Sequence, residues 1–206
     1  MRRHDLLMTL VVLSGCVRLA QPAPPVRDYR LDYASPPVNG RPLPVILTVR
    51  RLRVASVYDR ELIVYRDGPY TTGTYFYQHW SANPGSMVGD LLLRDFGASG
   101  VYGAVQDGPS PVPATVQLTG EIEEIEERLH QPGCSAHLQL RMLLLRLGDR
   151  RADPGLLSKT YTEDESSTCN DPLALAAAMS RALQRISAHL QQDVYDALAA
   201  DLDARH

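Results

Sequence analysis

The chain has 206 residues, 44% of them hydrophobic and 6% aromatic, with a net charge of −3. That length suits one ordinary domain able to bury a core of its own. A weakly acidic chain without a basic stripe excludes nucleic acid as a partner.

The first segment is a charged stretch, Met1 to Asp5 with Arg2 and Arg3, followed by an apolar run from Leu6 to Leu13 broken only by Thr9. This is the pattern of an export signal, and it is far shorter than the ~20 apolar residues a membrane span requires. Leu13-Ser14-Gly15-Cys16 then resembles the lipobox of a bacterial lipoprotein. The resemblance implies cleavage before Cys16, a diacylglycerol on its thiol and an acyl group on its new amino end. Several acyl chains anchor a protein stably where a single chain holds it only marginally. An Asp after such a cysteine favours inner-membrane retention, so Val17 implies the periplasmic face of the outer membrane. An ordinary cleaved signal with an incidental cysteine is the alternative. The chain thus divides into a signal over 1–15, a lipidated cysteine and proline-rich tether over 16–27, and a domain over 28–206.

Within the tether, Gln21-Pro22-Ala23-Pro24-Pro25 favours extended polyproline II. Asp28 to Tyr33 alternates and predicts a first strand, Ser35 to Gly40 a loop, and Val45 to Val54 a second strand. Leu62-Ile63-Val64-Tyr65, the turn Arg66-Asp67-Gly68-Pro69 and the aromatic- and threonine-rich stretch Tyr70 to Trp80 predict a hairpin. Asn83 then caps a helix with Pro84 in its first position, and Met87, Val88, Leu91, Leu92 and Phe96 form its buried stripe. Ser99-Gly100 stops this helix, and Val101 to Val105 begins another strand.

At this point the residues resemble a family. Val64-Tyr65-Arg66, Tyr75-Phe76-Tyr77, Trp80, Pro84, Met87-Val88, Leu91-Leu92, Ser99-Gly100 and Val105, in this order behind a lipobox, are similar to the core signature of the ABC-type transport auxiliary lipoproteins. The resemblance covers roughly residues 28 to 203. It implies a compact α/β domain in the periplasm without enzymatic activity. It also implies service to an MCE-type transport system that moves lipids or other hydrophobic molecules.

Downstream, three long strands read as an antiparallel meander. In Ala114 to His130, Val116, Leu118 and Ile122 share one face, after which Ile125 and Leu129 switch phase, the mark of a β-bulge. Gln131-Pro132-Gly133 turns the chain, Ala136 to Leu144 alternates, and a polar connection from Gly148 to Gly155 leads to the partner strand, Leu156 to Glu165. The register that pairs Leu147 with Leu156 sets Cys134 opposite Cys169, within reach of a disulfide. Two separate buried thiols are the alternative. Zinc is a third, since His130, Cys134, His137 and Cys169 include two of its ligand types, although Cys134 and His137 fall on opposite faces of one strand.

Asp171 and Pro172 open a long last helix, in which Leu175, Met179, Leu183, Ile186, Leu190, Val194, Leu198 and Leu202 make one apolar stripe. The chain carries no H-E-x-x-H, G-x-S-x-G or G-x-x-x-x-G-K, so no catalytic residue, metal or cofactor is assigned. Glu121, Glu123, Glu124, Glu126 and Glu127 alternate along a strand and predict a solvated edge or a protein-facing surface. Tyr70, Tyr75, Tyr77 and Trp80 are candidates for partner contact, with core packing as the competing explanation.

The fold expected is α+β: one two-layer domain whose mixed or antiparallel sheet is covered by a short helix and a long C-terminal helix. The function expected is a non-enzymatic accessory that docks a periplasmic MCE-type protein to the outer membrane. Homo-oligomerisation is left open. The alternatives are a carrier that binds lipid in its own cavity and a lipoprotein regulator of cell-wall synthesis.

Overall fold

A computed structural model describes residues 23–108, 110–130, 133–148 and 155–205. The signal, Cys16 and Val17 lie outside the described residues, as do most of the connections at 131–132 and 149–154.

Eleven elements follow in chain order: β1 (Arg27–Tyr29), β2 (Leu43–Val49), β3 (Arg53–Val54), β4 (Leu62–Arg66), β5 (Thr72–Trp80), α1 (Pro84–Ala98), β6 (Tyr102–Asp107), β7 (Val116–His130), β8 (Gly133–Arg146), β9 (Gly155–Ser167) and α2 (Pro172–Asp203). All nine strands join one mixed sheet whose spine is β7. Along one side of β7 run β2, β3 and β4, all parallel to it; along the other runs β8, antiparallel over its whole length. The sheet continues outward through β9 beyond β8, through β6 beyond β2, and through β5 and β1 beyond β4. The α+β class and the meander of β7, β8 and β9 match the sequence reading.

The phase switch in β7 is a bulge: its pairing with β8 shifts between Ile122 and Glu124. Ahead of it Val116, Leu118 and Ile122 face inward, and beyond it Ile125 does so, all buried. Without the extra residue, Glu124 and Glu126 would point into the core.

Both helices cap the inner face. Asn83 accepts a hydrogen bond from the Gly85 amide at 3.0 Å to start α1, and Gly100, at a φ of 68°, follows its end. The Asp171 carboxylate accepts from the Leu173 and Ala174 amides to start α2. The α2 stripe from Leu175 to Leu198 is buried against Leu138, Leu140, Met142 and Leu144 of β8.

Two predicted strands are shorter than expected. The 45–54 run is split at Arg50–Leu52, because β2 and β3 each pair with β7 but with one extra residue between them. The 28–33 run keeps only Arg27–Tyr29 as strand, since its continuation is claimed by the helices. Leu31 is buried, the Asp32 amide donates to Ser180 Oγ at 3.1 Å, and Gln184 donates to the Ala34 carbonyl at 2.9 Å. The knot of this strap is the wholly buried Asp95 of α1. Its carboxylate accepts from the Tyr33 hydroxyl at 2.7 Å, from Ser35 and Ser187 at 2.6 Å each, and from Arg94 at 2.8 Å. Burial, and then the bond to Asp95, hold the Tyr33 hydroxyl far above the ordinary tyrosine range.

Cys134 and Cys169 form a disulfide with Cα atoms 5.2 Å apart, although the register behind that pairing is two residues off. Cys134 pairs with Ser167, and Leu144 with Leu157. A shift beyond Leu144 sets Leu145 opposite Gly155 and leaves Leu156 without a cross-strand partner, so the predicted pairing of Leu147 with Leu156 does not form. Cys169 instead reaches its partner from a turn past the strand end, where Asn170 is left-handed at a φ of 58°.

With the two cysteines 35 positions apart in sequence, the chain-entropy account assigns the bridge about 4 kcal/mol. Replacing both cysteines with alanine is expected to lower the unfolding free energy by about 3–4 kcal/mol in urea titrations; a loss under about 1 kcal/mol would contradict that account.

Candidate functional site

The helices cover only one face of the sheet. On the other, the side chains of β3, β4, β7, β8 and β9 form two adjoining clusters of paired charge. Arg53 and Arg141 both reach Glu121 Oε2, at 2.8 and 2.9 Å, and Arg141 also pairs with Glu123 at 3.0 Å. Gln139 donates to Glu123 at 2.9 Å. Further along, Arg128 donates to Glu124, while His137 stands between Glu124 at 3.2 Å and Asp164 at 2.9 Å.

At the centre is Glu126, only 1% exposed. Its Oε1 accepts from Arg66 Nε at 2.7 Å and Arg128 Nε at 3.0 Å, and its Oε2 accepts from the Tyr58 hydroxyl at 2.6 Å. Tyr58 arrives from the loop between β3 and β4 and lids this part of the face. Burial by itself raises the Glu126 pKa, but the bonds from Arg66, Tyr58 and Arg128 together with the charge of Arg66 outweigh it and hold the carboxyl below its ordinary value. The Tyr58 hydroxyl is pushed far above its ordinary range by burial and by Glu126.

The neighbouring Glu127 has the opposite environment. It lies on the helix-covered face, 2% exposed, where Tyr75 donates to its Oε2 and Oε1 has no partner. Burial raises its pKa, and the Tyr75 bond only partly opposes the rise. The Tyr65 ring packs 4.9 Å from that of Tyr75, and Tyr65 lies over Gly73, where a Cβ atom would come within 2.4 Å of it.

The glutamates therefore do not line a solvated edge. β7 is the most internal strand of the sheet, and five carboxylates along it are divided between a cross-linked face and a core by the bulge. The aromatic candidates also separate. Trp80 is 2% exposed and belongs to the core, which removes it as a contact residue. Tyr75 is half-buried and committed to Glu127, whereas Tyr70 and Tyr77 are exposed, together with Phe76.

The zinc alternative loses two of its four donors to the disulfide, and His137 lies on the charged face away from Cys134. Among the described residues no group of three or more His, Cys, Asp and Glu could hold a metal ion. Sequence reading missed Tyr58, Arg66, Arg128, His137 and Asp164 as one site. The available signal was the bulge itself, since it sets Glu124, Glu126 and Arg128 on a common face with the polar alternation of β8.

One sheet face packed under helices and one covered in cross-linked charge define the fold as an α+β domain with two unlike surfaces. Residues 29–191 match the ABC-type transport auxiliary lipoprotein component family, and the chain belongs to it. The fold is shared with a protein from Xanthomonas campestris, at a TM-score of 0.76 and 23% identity over 88% of this chain and 100% of that one. It is also shared with a hypothetical protein from Chlamydia trachomatis, at a TM-score of 0.51 and 11% identity over 72% and 96% of the two chains. Likeness at these identities establishes the fold alone. Comparison with curated proteins gives no match. Among the described residues no helix is long and apolar enough to cross a membrane.

The two adjacent glutamates yield opposite expectations. Folding lowers the Glu126 pKa, so its stabilisation is whole above the unfolded value and fades as acid passes the folded one. Folding raises the Glu127 pKa, so its protonated form favours the fold and the benefit disappears as pH rises through the folded value. Glu126→Gln is expected to cost about 2–4 kcal/mol at pH 7, because two arginines lose a buried partner. Glu127→Gln is expected to be neutral or stabilising there. Urea titrations at pH 4, 5.5 and 7 check both, and equal losses at pH 7 would contradict the difference.

Proposed function

We propose that this protein is a non-enzymatic periplasmic accessory of an MCE-type ABC transport system for lipids or other hydrophobic molecules. It is held at the outer membrane through Cys16, and it docks the transport conduit to that membrane through protein contacts. Family membership supports the transport role, and the order of Leu13-Ser14-Gly15-Cys16 supports the anchor.

The observation that carries a docking role is the uncovered face of β3, β4, β7, β8 and β9. Both signs of charge alternate across it from Arg53 to Asp164, held in register by mutual ion pairs. A rigid surface of fixed, mixed charge selects a partner by complementarity more than by hydrophobic area. A lipid carrier needs a void between sheet and helix instead. Here that space is filled: Leu183, Leu190, Val194, Leu138, Leu140 and Met142 have no exposed surface, and α2 spends its apolar stripe on the sheet.

Two experiments test this reading. Cys16→Ala is expected to move the protein from the membrane to the soluble fraction of the envelope; retention at the membrane would contradict the anchor. A photo-crosslinking residue at the exposed Thr162, on the charged face, is expected to capture an MCE-type protein in the native envelope. The same probe at exposed Gln192 on α2 is expected to capture none; equal capture from both positions would contradict docking through this face.

A further inference from the structure

The exposed aromatics of the β4–β5 hairpin lie beside the entrance of the tether. In β4, Val64 pairs with Thr74 and Leu62 with His79, so Tyr75 to Gln78 of β5 all oppose the single residue Ile63. A bulge of this width pushes side chains out of the sheet, and Phe76 at its centre is 78% exposed, with Tyr77 beside it also exposed. Tyr70, in the turn of the same hairpin, is 98% exposed. Three aromatics left in water on one hairpin are costly in a chain with only 6% aromatic residues and a fully packed Trp80.

The tether arrives at this place. β1 is parallel to β5, with Arg27 opposite Gln78. The residues entering β1 therefore come from the direction of the hairpin turn, and Val26, itself exposed, precedes Arg27 on the side of Tyr77. From Gln78 back to Thr72 is six residues, bulged over Tyr75 to Gln78, and therefore at most about 20 Å at ~3.3 Å each. From Cys16 to Arg27 is eleven residues, about 34 Å even as polyproline II. The anchor and the hairpin turn can thus rest on one surface at the same time. The local charges nearly cancel, Arg27 and Arg30 against Asp28 and Asp32, so the contact depends on the aromatics. Tyr and Phe combine in this way at the boundary between headgroups and acyl chains.

We infer that Tyr70, Phe76 and Tyr77, with Val26, form a membrane-contact patch that seats the domain on the bilayer holding its N-terminal lipid. The patch fixes the orientation of the domain, so that the charged sheet face stands at a set angle to the membrane and does not swing on a free tether. This inference rests on the anchoring through Cys16 proposed above.

The test uses the full lipidated protein in vesicles of phosphatidylethanolamine and phosphatidylglycerol containing a lipid brominated on its acyl chain. Tryptophan is introduced by Phe76→Trp in one variant and by Val112→Trp in another. Val112 is exposed too, but lies just ahead of β7, at the end of the sheet away from the hairpin turn. The buried Trp80 provides the same background in both. Bromolipid is expected to reduce the added emission of the Phe76→Trp variant by roughly half or more and to leave that of Val112→Trp unchanged, since quenching requires depth at the acyl boundary. If the protein floats with the vesicles but Phe76→Trp is unquenched, or both variants are quenched alike, the patch is overturned while the anchor stands. If the protein does not float with vesicles at all, the anchor fails and the patch with it.

Discussion

One residue too many in β7 decides the character of this molecule. A strand of fifteen residues in the middle of a sheet must present one face to the helices throughout, yet the sequence of this strand changes phase halfway. The bulge between Ile122 and Glu124 resolves the conflict. It keeps Val116, Leu118, Ile122 and Ile125 on the packed side and assigns Glu121, Glu123, Glu124 and Glu126 to the other. The same adjustment obliges Glu127 to enter the core, where Tyr75 is its hydrogen-bond donor. A β-bulge is a local change in backbone count, but here it sets the polarity of two faces across four strands.

Around that spine the N-terminal strap and the charged face lie on opposite sides of the sheet. The strap from Leu31 to Ser35 is pinned to both helices through Asp95, Ser180 and Ser187, which fixes it to the packed layer. Hydrogen bonds to a fully buried carboxylate are stronger than their equivalents at the surface, and they hold the chain close to where it enters the sheet. Apart from those to the buried Glu126, the ion pairs of the charged face are partly exposed, and individually such pairs add little stability; collectively they keep long side chains in fixed positions.

Belonging to a family of transport auxiliaries gives this separation a use. Docking, as proposed above, would require such an accessory to hold other components at a distance and an angle. In that proposal the proline-rich segment would set the distance, the strap would carry the constraint, and the charged sheet face would offer the contact. The α2 helix, thirty-two residues long, packs its apolar stripe on β8 and β9, while α1 covers the β2 and β6 part of the same face.

From the sequence alone came the hairpin of β4 and β5, both helix caps, the stripe of α2, the bulge in β7 and the partnership of Cys134 with Cys169. These rest on signals between near neighbours: strand and helix periodicity, Asn-Pro and Asp-Pro starts, and a change of phase within one strand. The parallel pairing of β2, β3 and β4 with β7, the burial of Trp80 and the two-residue error in the β8–β9 register belong to tertiary structure. So does the assembly of Tyr58, Arg66, Glu126 and Arg128 into one network, because its members lie up to seventy residues apart and meet only once the strands are placed side by side. Periodicity states which residues share a face of their own strand. It does not state which strands are neighbours, and whether a carboxylate is solvated, salt-bridged or buried without a charge partner depends on that neighbourhood.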